Sequence, residues 1–164
     1  MKKIMELLQN MKAKNEKKDN KGFSLVELII VIAIMAILVG IVGTQVIPYI
    51  SKSKVAKDQQ VLNSISTAAV AAYSENAATG GKTIDVFGKA ETSDPWKTIQ
   101  EDIKTTSGFA DLEAFQKALG SDKKEDITSV IVTFDADNHK AVTKAKYKDG
   151  STAKYKIKDV EATL

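Results

Sequence analysis

Between Lys21 and Lys52 the chain carries one charged residue, Glu27. From Phe23 to Gly43 it is apolar except at Ser24 and Glu27. About 20 residues, each rising about 1.5 Å, cross a hydrocarbon core roughly 30 Å thick. Ile and Val are abundant, but a run of this length selects a helix over a strand. A helix that is apolar on every face has no side to turn to water, so lipid or other protein must surround it. This constrains everything else: the chain is expected to cross a bilayer once, and its remaining residues must fold outside it. Glu27 is the anomaly, because a carboxylate in hydrocarbon is costly unless something offsets its charge.

The charge distribution orients the span. Residues 1–22 carry seven lysines and three acids, the rest of the chain 17 lysines and 18 acids, and there is no arginine. The basic leader is expected on the cytoplasmic side. Without it the chain is close to neutral, so global basicity gives no support for nucleic-acid binding. There is no cysteine and one histidine, His139. Thiolate metal sites and disulfides are therefore excluded. His139, within "DADNHK", is expected to be a solvated turn residue, and no catalytic constellation accompanies it. The chain is not expected to be an enzyme or to use a cofactor or metal.

A secretory signal peptide and a plain anchor are the other readings of such a run. A signal peptide is usually shorter in its apolar part and ends in a small-x-small cleavage site, for which "TQVIPYISKSKVAK" offers only Ser51 and Ser53. Neither reading accounts for Glu27 or for the abrupt change at Gly22. "KGFSLVELIIVIAIMAIL", Lys21 to Leu38, resembles the class III signal of type IV prepilins and pseudopilins: a basic leader, then Gly, Phe, Ser or Thr, Leu, a hydrophobic residue and Glu. The resemblance implies that a prepilin peptidase cuts between Gly22 and Phe23 on the cytoplasmic face, and that the new amine of Phe23 is methylated. It implies that Phe23 and Glu27 serve subunit assembly. Physically, the Phe23 amine of a neighbouring subunit is a cation that Glu27 can pair with in one axial offset only, and registry is the best-attested role of buried ion pairs. A monomeric anchor is expected to gain nothing from Glu27.

The helix is expected to run on to about Glu75, because Val55, Leu62, Ile65, Ala69 and Ala72 form an apolar stripe at helical spacing, widened by Val61 and Ala68. "ATGG" should end it. Gly40, Gly43 and Pro48 predict a kink, and the resemblance to prepilins implies that the helix can instead unwind there in a filament. In the connector, residues 76–126, "TIDVFG" can form a short strand. "DPWKTIQEDIK" reads as a helix with Asp94 as N-cap and Pro95 first in the helix; it also resembles the DPWG-type stretch of major pseudopilins, with Lys97 at the glycine. "GFADLEAFQKALG" reads as a helix with Leu112, Phe115 and Leu119 inward and Gly120 as terminator. A three-stranded antiparallel sheet is expected over residues 127–160, from strands at Ile127–Phe134, Lys140–Tyr147 and Thr152–Val160. "DADN" resembles the start of a calcium loop through Asp135 and Asp137, but lacks its glycine and distal glutamate, so a polar hairpin turn is expected.

The expected fold is α+β: a long N-terminal helix, transmembrane in its first half, packed on a small antiparallel sheet as in type IV pilins. The divisions are a cleaved leader, 1–22; a transmembrane and assembly half, 23–51; and an αβ head, 52–164. The resemblance implies a pilin, held in the cytoplasmic membrane as a single-pass precursor and polymerised into an extracellular homo-oligomeric filament. Its partners would be the bilayer, the prepilin peptidase and the membrane assembly platform. The alternatives are a pseudopilin of a type II secretion or DNA-uptake machine, and a membrane-tethered binding module. The lysines of the strands are most simply a solvated face, with binding of nucleic acid or another anionic polymer left open.

Overall fold

The computed structural model describes residues 23–164. The leader expected over 1–22, and with it Gly22, lies outside the described residues. The described chain falls into two compact units divided after Thr44. The first contains α1, Leu25–Ile41, in which no residue is buried. Helical structure continues without a break to Glu75, but the ladder changes to π-helical over Val42–Val46 before α2, Ile47–Glu75. That interruption falls between Gly40 and Pro48. Proline has no backbone proton to give to the ladder, and a π-turn is one of the recognised ways a helix absorbs such a misfit.

The second unit is built on the apolar stripe of α2. Leu62, Ile65, Ala68, Ala69 and Ala72 are buried along one face. Fully burying side chains of the size of Leu62 and Ile65 stabilises by about 1.5–3 kcal/mol each. The opposing surface is an antiparallel sheet of four strands in the order β1-β2-β3-β4: β1 Lys82–Asp85, β2 Ile127–Asp135, β3 Lys140–Tyr147 and β4 Val160–Thr163. Val130, Val132 and Phe134 alternate inward along β2, and Ala141 and Thr143 along β3. Lys140, Lys144 and Lys146 alternate outward on β3. The ring of Phe134 stacks on Tyr73 at 5.1 Å and lies 5.7 Å from Trp96, which closes one end of the core.

Two helices complete it. In α3, Trp96–Ser107, Ile99 and Ile103 face the core, and Gly108 ends the helix in the left-handed conformation that glycine adopts without penalty. In α4, Leu112–Ala118, the Asp111 carboxylate caps the first turn by accepting from the Ala114 N–H at 2.7 Å. Phe115 and Leu119 are buried as expected.

Three expectations are corrected. The sheet has a fourth strand, because "KTID" pairs with β2 from Lys82↔Phe134 to Asp85↔Ile131. The segment Thr152–Asp159 is not a strand. Tyr155 and Ile157 still alternate inward against exposed Lys154, Lys156 and Lys158, but their backbone is held by side chains. The Ile157 N–H donates to the Tyr147 hydroxyl at 3.1 Å, and Gln59 of α2 both accepts from and donates to Lys158. The strand that does pair with β3 begins at Val160, opposite Thr143. Finally, α3 begins at Trp96 rather than Pro95. The Pro95 carbonyl accepts from the Ile99 N–H at 2.9 Å, and the Asp94 carboxylate accepts from the Thr98 hydroxyl instead of a backbone N–H.

Candidate functional site

Phe23 and Ser24 lie in front of α1, outside the helix. Phe23 is 82% exposed. Ser24 is the N-cap, with φ −64° and ψ 141°, and its hydroxyl accepts from the Val26 N–H at 3.3 Å. Glu27 reaches back from the first turn. Its Oε2 accepts from the Ser24 N–H at 2.8 Å. This is a capping box: a Ser side chain and a Glu three residues later each satisfy a donor that the start of a helix leaves unpaired. The helix is thereby held to begin at Leu25, leaving Phe23 outside it.

The geometry alters one expectation about Glu27. A lone membrane helix does gain from this residue, since its carboxylate satisfies a backbone N–H and places negative charge at the positive end of the helix dipole. Ser24 is the capping residue that sequence reasoning passed over. The signal was present, because "SLVE" is the S-x-x-E pattern of a capping box just before an apolar run. Gly22 lies outside the described residues, so the structure brings together Phe23, Ser24 and Glu27. The side chains from Leu25 to Ile41 are all exposed, and among the described residues none packs against them.

The other candidate sites resolve into structural roles. In "DADN" the Asp135 carboxylate accepts from the backbone and side-chain N–H groups of Asn138, at 3.1 and 2.7 Å. These bonds, the side-chain one foremost, hold its carboxyl below the usual carboxylate range. His139 is an exposed turn residue with φ +50°. Among the described residues no group of three or more His, Cys, Asp or Glu side chains is placed to hold a metal. Along the outer face of the sheet, Lys140, Lys144 and Lys148 are paired with Glu161, Asp159 and Asp126, so much of the lysine row is already matched by acids.

Residues 17–43 match the family model described as the prokaryotic N-terminal methylation motif, which is the class III signal of type IV prepilins. No curated protein matches the chain, and no solved structure does. The chain thus carries a prepilin signal followed by a helix long and apolar enough to cross a membrane. The signal supports a type IV pilin-like protein, pilin or pseudopilin, and marks a kind of structural subunit rather than a kind of enzyme.

Proposed function

We propose that this chain is a pilin, stored in the cytoplasmic membrane through α1 and polymerised through the same helix into a surface filament. The observation that carries the reading is the prepilin signal leading directly into a helix with no buried residue. Such a helix requires one apolar environment before assembly and can exchange it for another, the packed helices of its neighbours, without exposing new surface to water. The peptidase acts between Gly22 and Phe23. The capping box favours this step because it starts the helix at Leu25 and so keeps Phe23 out of it, where a protease can reach its backbone. Cleavage turns the Phe23 nitrogen into an amine that is charged near neutral pH, and methylation leaves that charge in place.

The Glu27 carboxylate then exchanges partners. In the single chain it accepts from the neutral Ser24 N–H. In the filament it takes the charged Phe23 amine of a neighbour, and a hydrogen bond between two charged groups is roughly twice as strong as one between neutral groups. Because the pair forms at one axial offset, it sets the register of the polymer.

Two substitutions separate the roles of charge and cap. Glu27→Gln keeps a side chain able to close the capping box but has no charge; Glu27→Ala removes both. Both variants are expected to insert in the membrane and to be cleaved, giving an intact mass that begins at Phe23. Both are expected to lose filaments, as counted by electron microscopy of sheared cell-surface material. Normal filament yield from cells expressing only Glu27→Gln would reduce Glu27 to a helix cap and remove the registry mechanism.

A further inference from the structure

The segment Thr152–Asp159 alternates like a strand but has no ladder, and the second half of β3 has the converse: a free edge. β4 pairs with β3 only from Lys140↔Thr163 to Thr143↔Val160. The His139 carbonyl accepts from the Leu164 N–H at 2.9 Å, so the odd-numbered residues of β3 direct their backbone groups to the β4 side. Ala145 and Tyr147 therefore point theirs past the end of β4, where no strand lies beside them among the described residues. An open strand edge of this kind can pair with another chain unless something closes it.

The exposure pattern shows why the ladder stops. Thr152, Lys154, Lys156 and Lys158 are exposed in alternation, and Glu161 and Thr163 likewise, but Asp159 is exposed directly after Lys158. The alternation has slipped by one residue, and such a slip turns every side chain beyond it to the other face. If the register of β4 ran on unchanged, Lys156 and Lys158 would face the core and Ile157 the solvent. Gln59 of α2 stands in for the missing strand. Its carboxamide accepts from the Lys158 N–H at 2.8 Å and donates to the Lys158 carbonyl at 2.9 Å. That is the pair of bonds a residue of a neighbouring strand would exchange. The Ile157 N–H is taken by the Tyr147 hydroxyl at 3.1 Å.

One β-bulge would correct the slip, because two residues of a bulged strand oppose one residue of its partner. With Lys158 and Asp159 opposite Lys144, Ile157 falls opposite Ala145 and Tyr155 opposite Tyr147, and Ile157 and Tyr155 keep facing the core. One contact of that arrangement is already made: the Lys144 Nζ lies 2.9 Å from Oδ2 of Asp159. Tyr147 and Tyr155 already line the same cleft.

We propose that residues 152–159 are a strap with two seats, one latched to α2 by Gln59 and one zipped onto β3 through a bulge at Lys158–Asp159. The latched seat is the one observed. It uses the two Gln59 bonds and the Tyr147 bond, and zipping exchanges these for ladder bonds at Ala145 and Tyr147. Because like is exchanged for like, the loss of the latch is enough to move the strap. The seat decides whether the edge of β3 is open. It also shapes the cleft of about 300 Å³ between Ile47, Pro48 and Val55 of α2 and Ala153, Lys154 and Tyr155 of the strap. The inference concerns the head alone and does not rest on the pilin reading.

The test is site-resolved amide hydrogen exchange of the full-length protein in micelles, comparing the natural chain with Gln59→Ala. The Val142 N–H faces β2 and serves as internal reference. Relative to it, the Ala145 and Tyr147 amides are expected to slow by about ten-fold in the variant, as protection by one ladder bond each implies. Tyr147→Phe removes the other half of the latch, the acceptor for the Ile157 N–H, and should slow the Ala145 amide in the same direction. A plain clasp with no second seat predicts the opposite pattern: amides 155–158 accelerate and those of Ala145 and Tyr147 keep their rate relative to Val142. That pattern in both variants overturns the proposal.

Discussion

The helical run Leu25–Glu75 contains two halves that share a backbone and answer to different surroundings. Along α1 no side chain is buried. Along α2 one face is buried, from Asp58 to Ala72, and the other is wet. In α1 the apolar residues go all the way round, so no direction is preferred and any apolar medium satisfies them. In α2 they form a stripe, so one particular partner is required, and the chain supplies it as a sheet. The same contrast appears in the polar groups. Glu27 is matched within its own turn, three residues away. Asp58 is matched across 62 residues, its carboxylate accepting from the backbone of Gly120 and Ser121 at 2.7 and 3.0 Å. A helix meant to change its surroundings keeps its polar bonds local, whereas a helix that organises a core spends them on distant loops.

Matched substitutions can break this comparison. Ile65→Asp places an unpaired carboxylate at a fully buried position of α2. It is expected to cost several kcal/mol, a large part of the stability of a small domain. The loss is read from thermal unfolding of the full-length protein in micelles, followed by Trp96 fluorescence. Ile34→Ala in α1 removes more than a methyl group from an exposed position and should leave that transition where it is. If the two variants melt together, the head does not fold independently of α1 and the division between the halves is wrong.

A smaller effect is expected at the capping box. Ser24→Ala removes the acceptor for the Val26 N–H and should cost the first turn of α1 about 1 kcal/mol. Amide exchange in that turn should rise by about five-fold, as that energy implies, while exchange in α2 is unchanged. Unaltered exchange at the start of α1 would mean that the bilayer, rather than Ser24 and Glu27, satisfies these donors.

The smallest effect concerns the segment after β3. The Asp126 carboxylate accepts from Lys148 and from the Ser151 hydroxyl, each at 2.7 Å. The Lys148 bond first and the Ser151 bond second hold its carboxyl below the usual carboxylate range. A group whose pKa is lowered on folding stabilises the fold above its ordinary pKa, and this contribution is lost as pH falls through the lowered value. Amide exchange in residues 151–158 is therefore expected to accelerate below about pH 4. Asp126→Asn should flatten that pH dependence, and an Asn variant with an unchanged acid profile would assign it to another carboxylate.

Much of the head was legible because its signals are periodic or local. The stripe Leu62, Ile65, Ala69, Ala72 needs only a spacing to be found, as do Phe115 and Leu119 on α4 and just beyond it. The strand expected at Thr152–Val160 shows where such reading stops. Its side chains alternate as in a strand, but alternation reports which side chains face the core and says nothing of what the backbone bonds to. Gln59 and the Tyr147 hydroxyl took the positions that a ladder would have filled. β1 was weakly marked because four residues carry too little pattern to separate an edge strand from a loop.

The sequence by itself determined the long apolar helix and the prepilin signal, since each depends on length and adjacent residues. It also held the capping box, in the four letters "SLVE". Tertiary structure alone decided that "KTID" joins the sheet and that the chain after β3 is held by side chains before it pairs. Those outcomes depend on contacts between residues up to about a hundred positions apart, such as Gln59 with Lys158. Contacts of that range arise only once the core has brought distant segments together, and no local pattern records them.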